Sequence, residues 1–189
     1  MAVAFDPRLL ERGQGRQRMA LLLIGAWIMG SICSSIVAAE NFYTIDRLIA
    51  ASSNAAFARA VEQLGQAHAR DFLRYLSSEL NRLYFQLWNV AQLPLGALTL
   101  TLIMSGPRTR RRAVAARVVA TMLAIVVLMI AYLTPQIVAL GRSLDFMPRD
   151  PSPPGMQRFW VLHAVYTSLE MLKLATGCLV AYWIVDTAG

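Results

Sequence analysis

Three residues that can carry a charge lie in an otherwise apolar stretch near the end of the 189-residue chain: His163, Glu170 and Lys173. Glu170 and Lys173 are three positions apart, so on a helix the ammonium group reaches the carboxylate. Tyr166 and His163 share that helix face, because their spacing returns them to nearly the same direction. A carboxylate in such a stretch could bind a cation or relay a proton, with His163 near the mouth of the site.

The stretch that must position these residues is long enough to cross a bilayer, and so are three others. A spanning helix needs about 20 mostly apolar residues. The predicted spans are 19–39, 83–104, 118–140 and 159–185, and the first three contain no charged residue. Charged residues make up only 15% of the chain, against about 25% in soluble domains. The sequence therefore predicts a single transmembrane domain over 1–189, an all-α four-helix bundle surrounded by membrane lipids.

The distribution of arginine predicts the orientation of this bundle. The short segments 1–18, 105–117 and 186–189 together carry nine arginines and three acidic residues, whereas 40–82 and 141–158 are nearly neutral. Basic short segments stay in the cytoplasm. We therefore expect a multi-pass protein, typical of a bacterial inner membrane, with both termini cytoplasmic. Nucleic-acid binding is not expected, since the arginines flank apolar blocks and are not interleaved with aromatic or polar readers.

The long outer segment, 40–82, is predicted to be helical because its apolar residues recur at helical spacing. Ser52-Ser53-Asn54 supplies an N-cap signal and Gly65 a break. The pattern predicts two amphipathic helices that lie on the membrane surface or extend the first two spans outward. The second outer segment, 141–158, contains four prolines, so no helix is expected around them.

A stripe of small residues runs along the first span at intervals of four: Ala26, Gly30, Ser34 and Ala38. In lipid, small residues allow close helix contact, which drives association. The stripe is expected to pack within the bundle or, alternatively, to form a homo-oligomer contact.

Prolines and aromatic residues mark other features of the spans. Pro94 is expected to kink its helix, and Pro135 to kink its helix or end it early. The aromatic residues near predicted span ends are typical of interfacial belts; they are Tyr43, Tyr84, Trp88, Trp160, Tyr182 and Trp183.

Two interpretations of the polar residues remain open. Asn89 and Gln92 lie about 10 and 15 Å below the predicted outer surface, close to the depth of Glu170 at about 16 Å. In the first interpretation, Glu170 and Lys173 form a self-neutralised pair that bonds Asn89 or Gln92 and fixes the helix register. In the second, the pair and His163 serve transport or ion coupling. A wet cavity that opens outward to the pair favours transport, and a dry, mutually bonded pair favours an accessory subunit.

Catalysis and cofactor binding are not expected. The chain contains no glycine-rich phosphate loop, HExxH or CxxC motif. Haem would need two suitable axial ligands, and His163 is the only histidine in a span, with His68 in the outer segment. A membrane enzyme would require His163 to gather with Asp145, Asp150 or Glu40. Such scattered loop acids are more often solvated charges.

The prediction is thus a structural or accessory subunit, or an envelope-maintenance protein, without catalysis. Its outer helical segment would be the surface for a protein partner. The alternative is a small transporter that uses the polar face of the last helix.

The first, third and fourth predicted spans resemble a bacterial membrane family of uncharacterised function that is related to eukaryotic transmembrane protein 205. The similarity rests on LLLIGAWIMGSICSSIVAA, LTPQIVALGRSLDF and FWVLHAVYTSLEMLKLATGCLVAYW, about half of the chain. The matched positions are Pro135, Phe159, Leu162 and His163. The resemblance implies a four-helix integral membrane protein and no assigned activity. The chain departs from the family in its long outer segment and in the Glu170–Lys173 pair.

Overall fold

The computed structural model describes residues 7–51 and 53–186, with side chains described from Gly13 onward. Within those ranges the fold is all-α and has no strand, which confirms the predicted fold class. The helices are α1 (Pro7–Ala51), α2 (Ala55–Leu64), α3 (Gln66–Met104), α4 (Arg110–Leu128), α5 (Thr134–Ser143) and α6 (Met156–Asp186). A π-helical turn, Met129–Leu133, joins α4 to α5.

Four helical stretches are long and apolar enough to cross a membrane: Gly13–Ala51, Gln66–Met104, Arg110–Ser143 and Met156–Asp186. The first two, from α1 and α3, form an antiparallel hairpin, which is the largest helix contact in the bundle. The third packs on α3, and α6 packs on α1 and α4. The architecture is a four-helix bundle of the multi-pass membrane type.

The main apolar core sits in the half of the bundle that holds the start of α4 and the end of α6. Ile24 and Trp27 from α1, Val119 and Val126 from α4, and Val180 from α6 are almost fully buried. Many other large apolar side chains are exposed on the outer surface of the bundle. Hydrocarbon tails are as apolar as leucine, so a bundle in lipid has no need to bury these side chains.

Glycines allow the helices to approach closely at two points. A Cβ at Gly30 would overlap the Trp88 ring, and a Cβ at Gly96 would lie 2.5 Å from Leu123 Cδ2 and 2.7 Å from Trp27 Cζ3. Of the small-residue stripe on α1, Gly30 therefore faces α3, whereas Ala26 is exposed.

The outer segment extends α1 and α3 beyond the predicted spans. α3 begins at Gln66, about 25 Å before its predicted span at a rise of 1.5 Å per residue, and α1 continues to Ala51. The sequence allowed either helices that lie on the membrane surface or extensions of the first two spans. α1 and α3 are extended spans. Polar bonds join the extensions: Asn41 Nδ2 donates to Asn81 Oδ1 (2.6 Å), Asn81 Nδ2 donates to the Ala38 carbonyl (3.0 Å), and Ser77 Oγ donates to the Asn41 carbonyl (3.1 Å).

The tip of this extension has the predicted boundaries. Asn54 Oδ1 accepts from the backbone N–H groups of Ala56 and Phe57, both at 3.0 Å, and so caps α2. Gly65 ends α2 with a φ of 77°, a conformation that glycine adopts without strain. The predicted N-cap at Asn54 and break at Gly65 are confirmed; Ser52 lies outside the described residues.

The prolines do not shorten their helices. α3 continues through Pro94. Pro135 follows the π-helical turn, in which the Thr134 N–H bonds to the Met129 carbonyl, and α5 then runs to Ser143. The expected early end at Pro135 is wrong, because the wider turn accommodates the ring. The proline-rich segment after α5 is not helical up to Met156, as predicted.

Three contacts draw the opposite, arginine-rich end together. Arg16 Nη1 donates to the Ser105 carbonyl (3.2 Å), and Gln17 Nε2 donates to the Ile184 carbonyl (2.5 Å). Arg111 forms an ion pair with Asp186. The beginning of α1 and the end of α6 therefore lie at the same end of the bundle.

Candidate functional site

A cavity of about 720 Å³ lies in the half of the bundle toward α2. We call that half the outer half, after the orientation that the sequence predicts. Its lining extends from Arg74, on the outward extension of α3, to Glu170, near the middle of the predicted last span. α1, α3 and α6 line it, and the segment after α5 supplies part of the rim through Phe146. The cavity volume lies in the range typical of small-molecule sites, about 300–1,000 Å³.

A buried charge pair lies at the floor of the cavity. Lys173 Nζ donates to Glu170 Oε1 at 2.8 Å and to Gln92 Oε1 at 2.5 Å. The Lys173 side chain is 1% exposed and that of Glu170 is 9% exposed. Glu170 lines the cavity and Lys173 does not. The pair is therefore mutually bonded, with only its carboxylate partner reaching the cavity.

Two side chains of α1 join this cluster: Ser31 bonds Glu170, and Trp27 bonds Gln92. Ser31 Oγ donates to Glu170 Oε2 at 3.3 Å and accepts from Trp88 Nε1 at 3.1 Å. Trp27 Nε1 donates to Gln92 Oε1 at 2.8 Å. Each polar atom at the floor thus has a partner on a different helix or along its own helix.

Asn89 continues the network toward α5 and the upper part of α6. Its Oδ1 accepts from Gln92 Nε2 at 3.3 Å and from Tyr166 OH at 3.1 Å, and its Nδ2 donates to Thr134 Oγ1 at 3.0 Å. Thr134 is the first residue after the π-helical turn, so that turn sets its position. The connected side chains form what we call the floor network: Trp27, Ser31, Trp88, Asn89, Gln92, Thr134, Tyr166, Glu170 and Lys173.

The floor network contains four of the five polar residues that the sequence singled out. His163 is the exception: it stacks on Phe159 at 5.9 Å and meets Trp160 edge-on at 6.1 Å, on the cavity wall above the network. Among the described residues His163 makes no hydrogen bond. Periodicity placed it on the correct helix face but at a higher level than the charge pair.

Sequence reasoning missed the tryptophans and the threonine of the network. The expected position of Trp88 in an interfacial belt is wrong, because its indole lies between α1 and α3 and donates to Ser31 Oγ. Trp27 offered a signal that was not used. It lies in the middle of a span, where an indole N–H has no water and needs a protein acceptor.

A second cluster of charges lies at the outer rim, where α3 meets α5 and the segment after it. Arg142 Nε and Nη2 donate to the two Glu79 oxygens, both at 3.1 Å, and Arg82 Nη1 donates to Glu79 Oε1 at 2.5 Å. Arg82 Nη1 and Nη2 also lie 2.9 and 3.2 Å from the Asp145 oxygens. We call these four residues, Arg142, Glu79, Arg82 and Asp145, the rim ion chain.

The rim ion chain shifts the ionisation of its members. The hydrogen bonds from Arg142 are the main reason that the pKa of Glu79 lies below its ordinary value, and Arg82 adds to the effect. Glu79 in turn raises the pKa of Arg142. Asp145 is 13% exposed and paired with Arg82, so the expectation that it is a solvated loop charge is wrong.

The cavity brings His163 and Asp145 to one lining, which is one of the gatherings that a membrane enzyme would require. Both Asp145 oxygens lie beside Arg82, however, and Glu40 pairs with Arg47 at 2.5 Å. Within the described part of the chain, no group of three His, Cys, Asp or Glu side chains could hold a metal ion. The arrangement is suited to binding an apolar or amphipathic molecule, because most of the cavity surface is apolar.

Comparison of the chain with protein-family models, with curated proteins and with solved structures finds no match. The resemblance to the family related to transmembrane protein 205 therefore stays a prediction.

Proposed function

We propose that the chain is an accessory or envelope-maintenance protein of a bacterial inner membrane that binds an amphipathic molecule in its cavity. It has no catalytic step of its own in this proposal. Both termini lie in the cytoplasm, and the cavity faces the opposite side. The observation that carries the proposal is the cavity itself, which reaches from Arg74 to Glu170 above a floor network that is already bonded.

The bonding of the charge pair supports a structural role for the floor network. Lys173 is sealed from the cavity, and its ammonium group already has two acceptors, Glu170 and Gln92. Buried polar groups that are all paired rigidify a bundle and specify its packing. The network would therefore fix the spacing of the helices at the floor of the cavity, and so maintain the shape of the site.

The arginine distribution supports the proposed orientation. Arg16, Arg111 and the N-terminal end of α4 lie at the same end as Asp186, and basic short segments favour the cytoplasm. In a cysteine-free background, Ser105→Cys should react with a membrane-impermeant maleimide only after the cells are permeabilised. Ser53→Cys should react in intact cells. The opposite labelling would overturn the orientation.

The binding proposal is tested by filling the cavity. Thr167 and its neighbour Ser168 are both exposed, but Thr167 lines the cavity and Ser168 does not. Thr167→Trp should exclude amphiphiles that native mass spectrometry detects on the parent protein in non-ionic detergent. Ser168→Trp is the matched control and should retain them. Equal retention by both variants, or no bound amphiphile on the parent, would overturn the proposal.

A second candidate function is transport or ion coupling, and one observation favours it: Glu170 lines the cavity floor. The double variant Glu170→Leu with Lys173→Met leaves no unpaired charge, so it is suited to separate the candidates. In the transport candidate it should lose ion-dependent flux that the parent shows in liposomes. In the accessory proposal the parent should show no such flux, and the double variant should still bind the amphiphile.

A further inference from the structure

The outer mouth of the cavity carries two arginines without an acidic partner. Arg74 lies on α3, and Arg149 lies in the segment after α5. Among the described residues neither forms an ion pair, and the only hydrogen-bond contact of Arg149 is to Met156 Sδ at 3.6 Å. The third arginine of the lining, Arg82, is already bound to Glu79 and Asp145. The available charge at the mouth is therefore mainly positive.

Packing at the rim keeps these two arginines at one end of the cavity. Phe146, in the same segment as Arg149, contacts Tyr75 with ring centroids 5.2 Å apart and Phe72 at 5.7 Å. Tyr75 directly follows Arg74 in α3. Asp71, one turn before Arg74, also lines the mouth and is not ion-paired among the described side chains. It offsets part of the positive charge but not all of it.

Below the mouth the walls are mostly apolar and aromatic. The side chains that an apolar chain would contact there are Phe42, Phe85, Phe159, Trp160, Tyr166 and Met171. At the bottom the carboxylate of Glu170 is neutralised by Lys173. The cavity thus presents positive charge at its outer end, an apolar interior and a floor without net charge.

Residues of both α1 and α6 line the cavity. These helices meet at the bond from Ser31 to Glu170, and above it Ser35 and Thr167 line the cavity while remaining exposed. In a membrane, an exposed gap at this depth faces the hydrocarbon of the outer leaflet. A ligand could therefore enter from the bilayer with its head at the arginines and its chain between the helices.

From these observations we infer that the ligand is a single-chain anionic amphiphile, with a phosphate or carboxylate head between Arg74 and Arg149 and its chain in the aromatic interior. This inference rests on the proposed binding function and specifies its ligand class. Guanidinium groups bind such heads through paired N–H donors. The volume of about 720 Å³ suits one chain of modest length.

The test compares ligands that share one chain and differ in the head. The full-length protein in phosphatidylcholine nanodiscs is titrated with dodecyl phosphate, dodecanol and dodecyltrimethylammonium, and protein-free nanodiscs are subtracted. Dodecyl phosphate should bind most tightly. Arg74→Gln and Arg149→Gln should each weaken it roughly fivefold, the upper end for exposed ion pairs, without affecting dodecanol. Asp71→Asn should tighten it, and Arg74→Lys should restore most of the affinity.

Each other outcome decides against part or all of the inference. Equal binding of the three amphiphiles, with Thr167→Trp still blocking them, would overturn the anion preference and leave the proposed function standing. Tighter binding of dodecyltrimethylammonium than of dodecyl phosphate would also overturn the anion preference and leave the proposed function standing. Full displacement by inorganic phosphate at matched concentration would identify a free anion and overturn the amphiphile. If none of the amphiphiles bound to the parent in a way that Thr167→Trp blocks, both the inference and the proposed function would be overturned.

Discussion

The floor network and the rim ion chain pair the same kinds of groups in different surroundings. In the floor network, Lys173 and Glu170 are 1% and 9% exposed. Glu170 lies about 16 Å below the outer end of the predicted span, and Lys173 lies one turn deeper. In the rim ion chain, Arg142 and Glu79 are 60% and 30% exposed. Both pairs have short N–O distances, 2.8 and 3.1 Å. By N–O distance alone, the two ion pairs would be judged similarly strong.

The surroundings of the two ion pairs make the cost of breaking them different. A charge left alone in hydrocarbon has no water to solvate it, so removal of one partner is costly even where the intact pair adds little net stability. An exposed charge that loses its partner returns to water, and salt screens the interaction. The floor network should therefore be intolerant of single changes and insensitive to salt, and the rim ion chain should show the reverse.

The largest effect is expected for Lys173→Met. Among the described residues, the change leaves the buried Glu170 carboxylate with the Ser31 hydroxyl as its one remaining donor. It should cost about 3–5 kcal/mol of unfolding free energy. Thermal melting in detergent between about pH 5 and pH 9 measures it. Melting equal to that of the parent throughout this range would refute the buried pair.

Replacing both charged residues is the matched control for this change. With Glu170→Leu added to Lys173→Met, no uncompensated charge remains, and the double variant should recover most of the lost stability. If the double variant melted as low as the single one, the deficit would come from packing and not from charge.

A smaller loss is expected for Gln92→Leu. Gln92 Oε1 accepts from both Trp27 and Lys173, so the substitution leaves two buried donors short of an acceptor and should cost about 2–3 kcal/mol. Gln86→Leu, on an exposed position of the same helix, is the control and should change melting little. A neutral Gln92→Leu variant would show that water or lipid headgroups reach this level.

The Glu170–Lys173 contact could be predicted from the sequence, but the bond between Gln92 and Trp27 could not. The apolar runs predict the four spans, and the spacing of Glu170 and Lys173 predicts their contact, because both are local properties of one helix. The bonds to Trp27 and Trp88 depend on how α1 and α3 are rotated about their axes. Distance from a span end gives depth but not rotation, which is why Trp88 was placed in an interfacial belt.

The contact of Arg82 with Asp145 joins residues 63 positions apart, across a segment whose path local patterns do not determine. Thr134 was missed for a related reason. Its direction depends on the π-helical turn before Pro135, and a proline in a predicted helix signals a disturbance without saying which form it takes. The elements of the candidate site were thus predictable, and the bonds between them were largely not.

An intermediate effect should come from Thr134→Val, which removes the acceptor of Asn89 Nδ2 and should cost about 1 kcal/mol. The control is Thr101→Val, because the Thr101 hydroxyl donates to the Ala97 carbonyl of its own helix and, within the described ranges, to no other helix. Melting of the two variants side by side isolates the interhelical bond. Equal losses would show that the bond between α3 and α5 adds nothing beyond the generic effect of the substitution.

The smallest effect is expected at the rim, where Glu79→Gln weakens the contacts to Arg82 and Arg142. Exposed pairs are typically worth about 0.2–1 kcal/mol, and the loss should shrink as salt is added. Because the folded pKa of Glu79 is lowered, its contribution is present above the unfolded pKa, near 4.5, and is lost as the pH falls through the lower folded value. The parent and Glu79→Gln should therefore differ in melting near neutral pH and converge in acid. If the melting difference between the parent and Glu79→Gln persisted in acid and in high salt, the rim ion chain would behave like the floor network. The expectation that exposed and buried charge pairs differ in this protein would then be wrong.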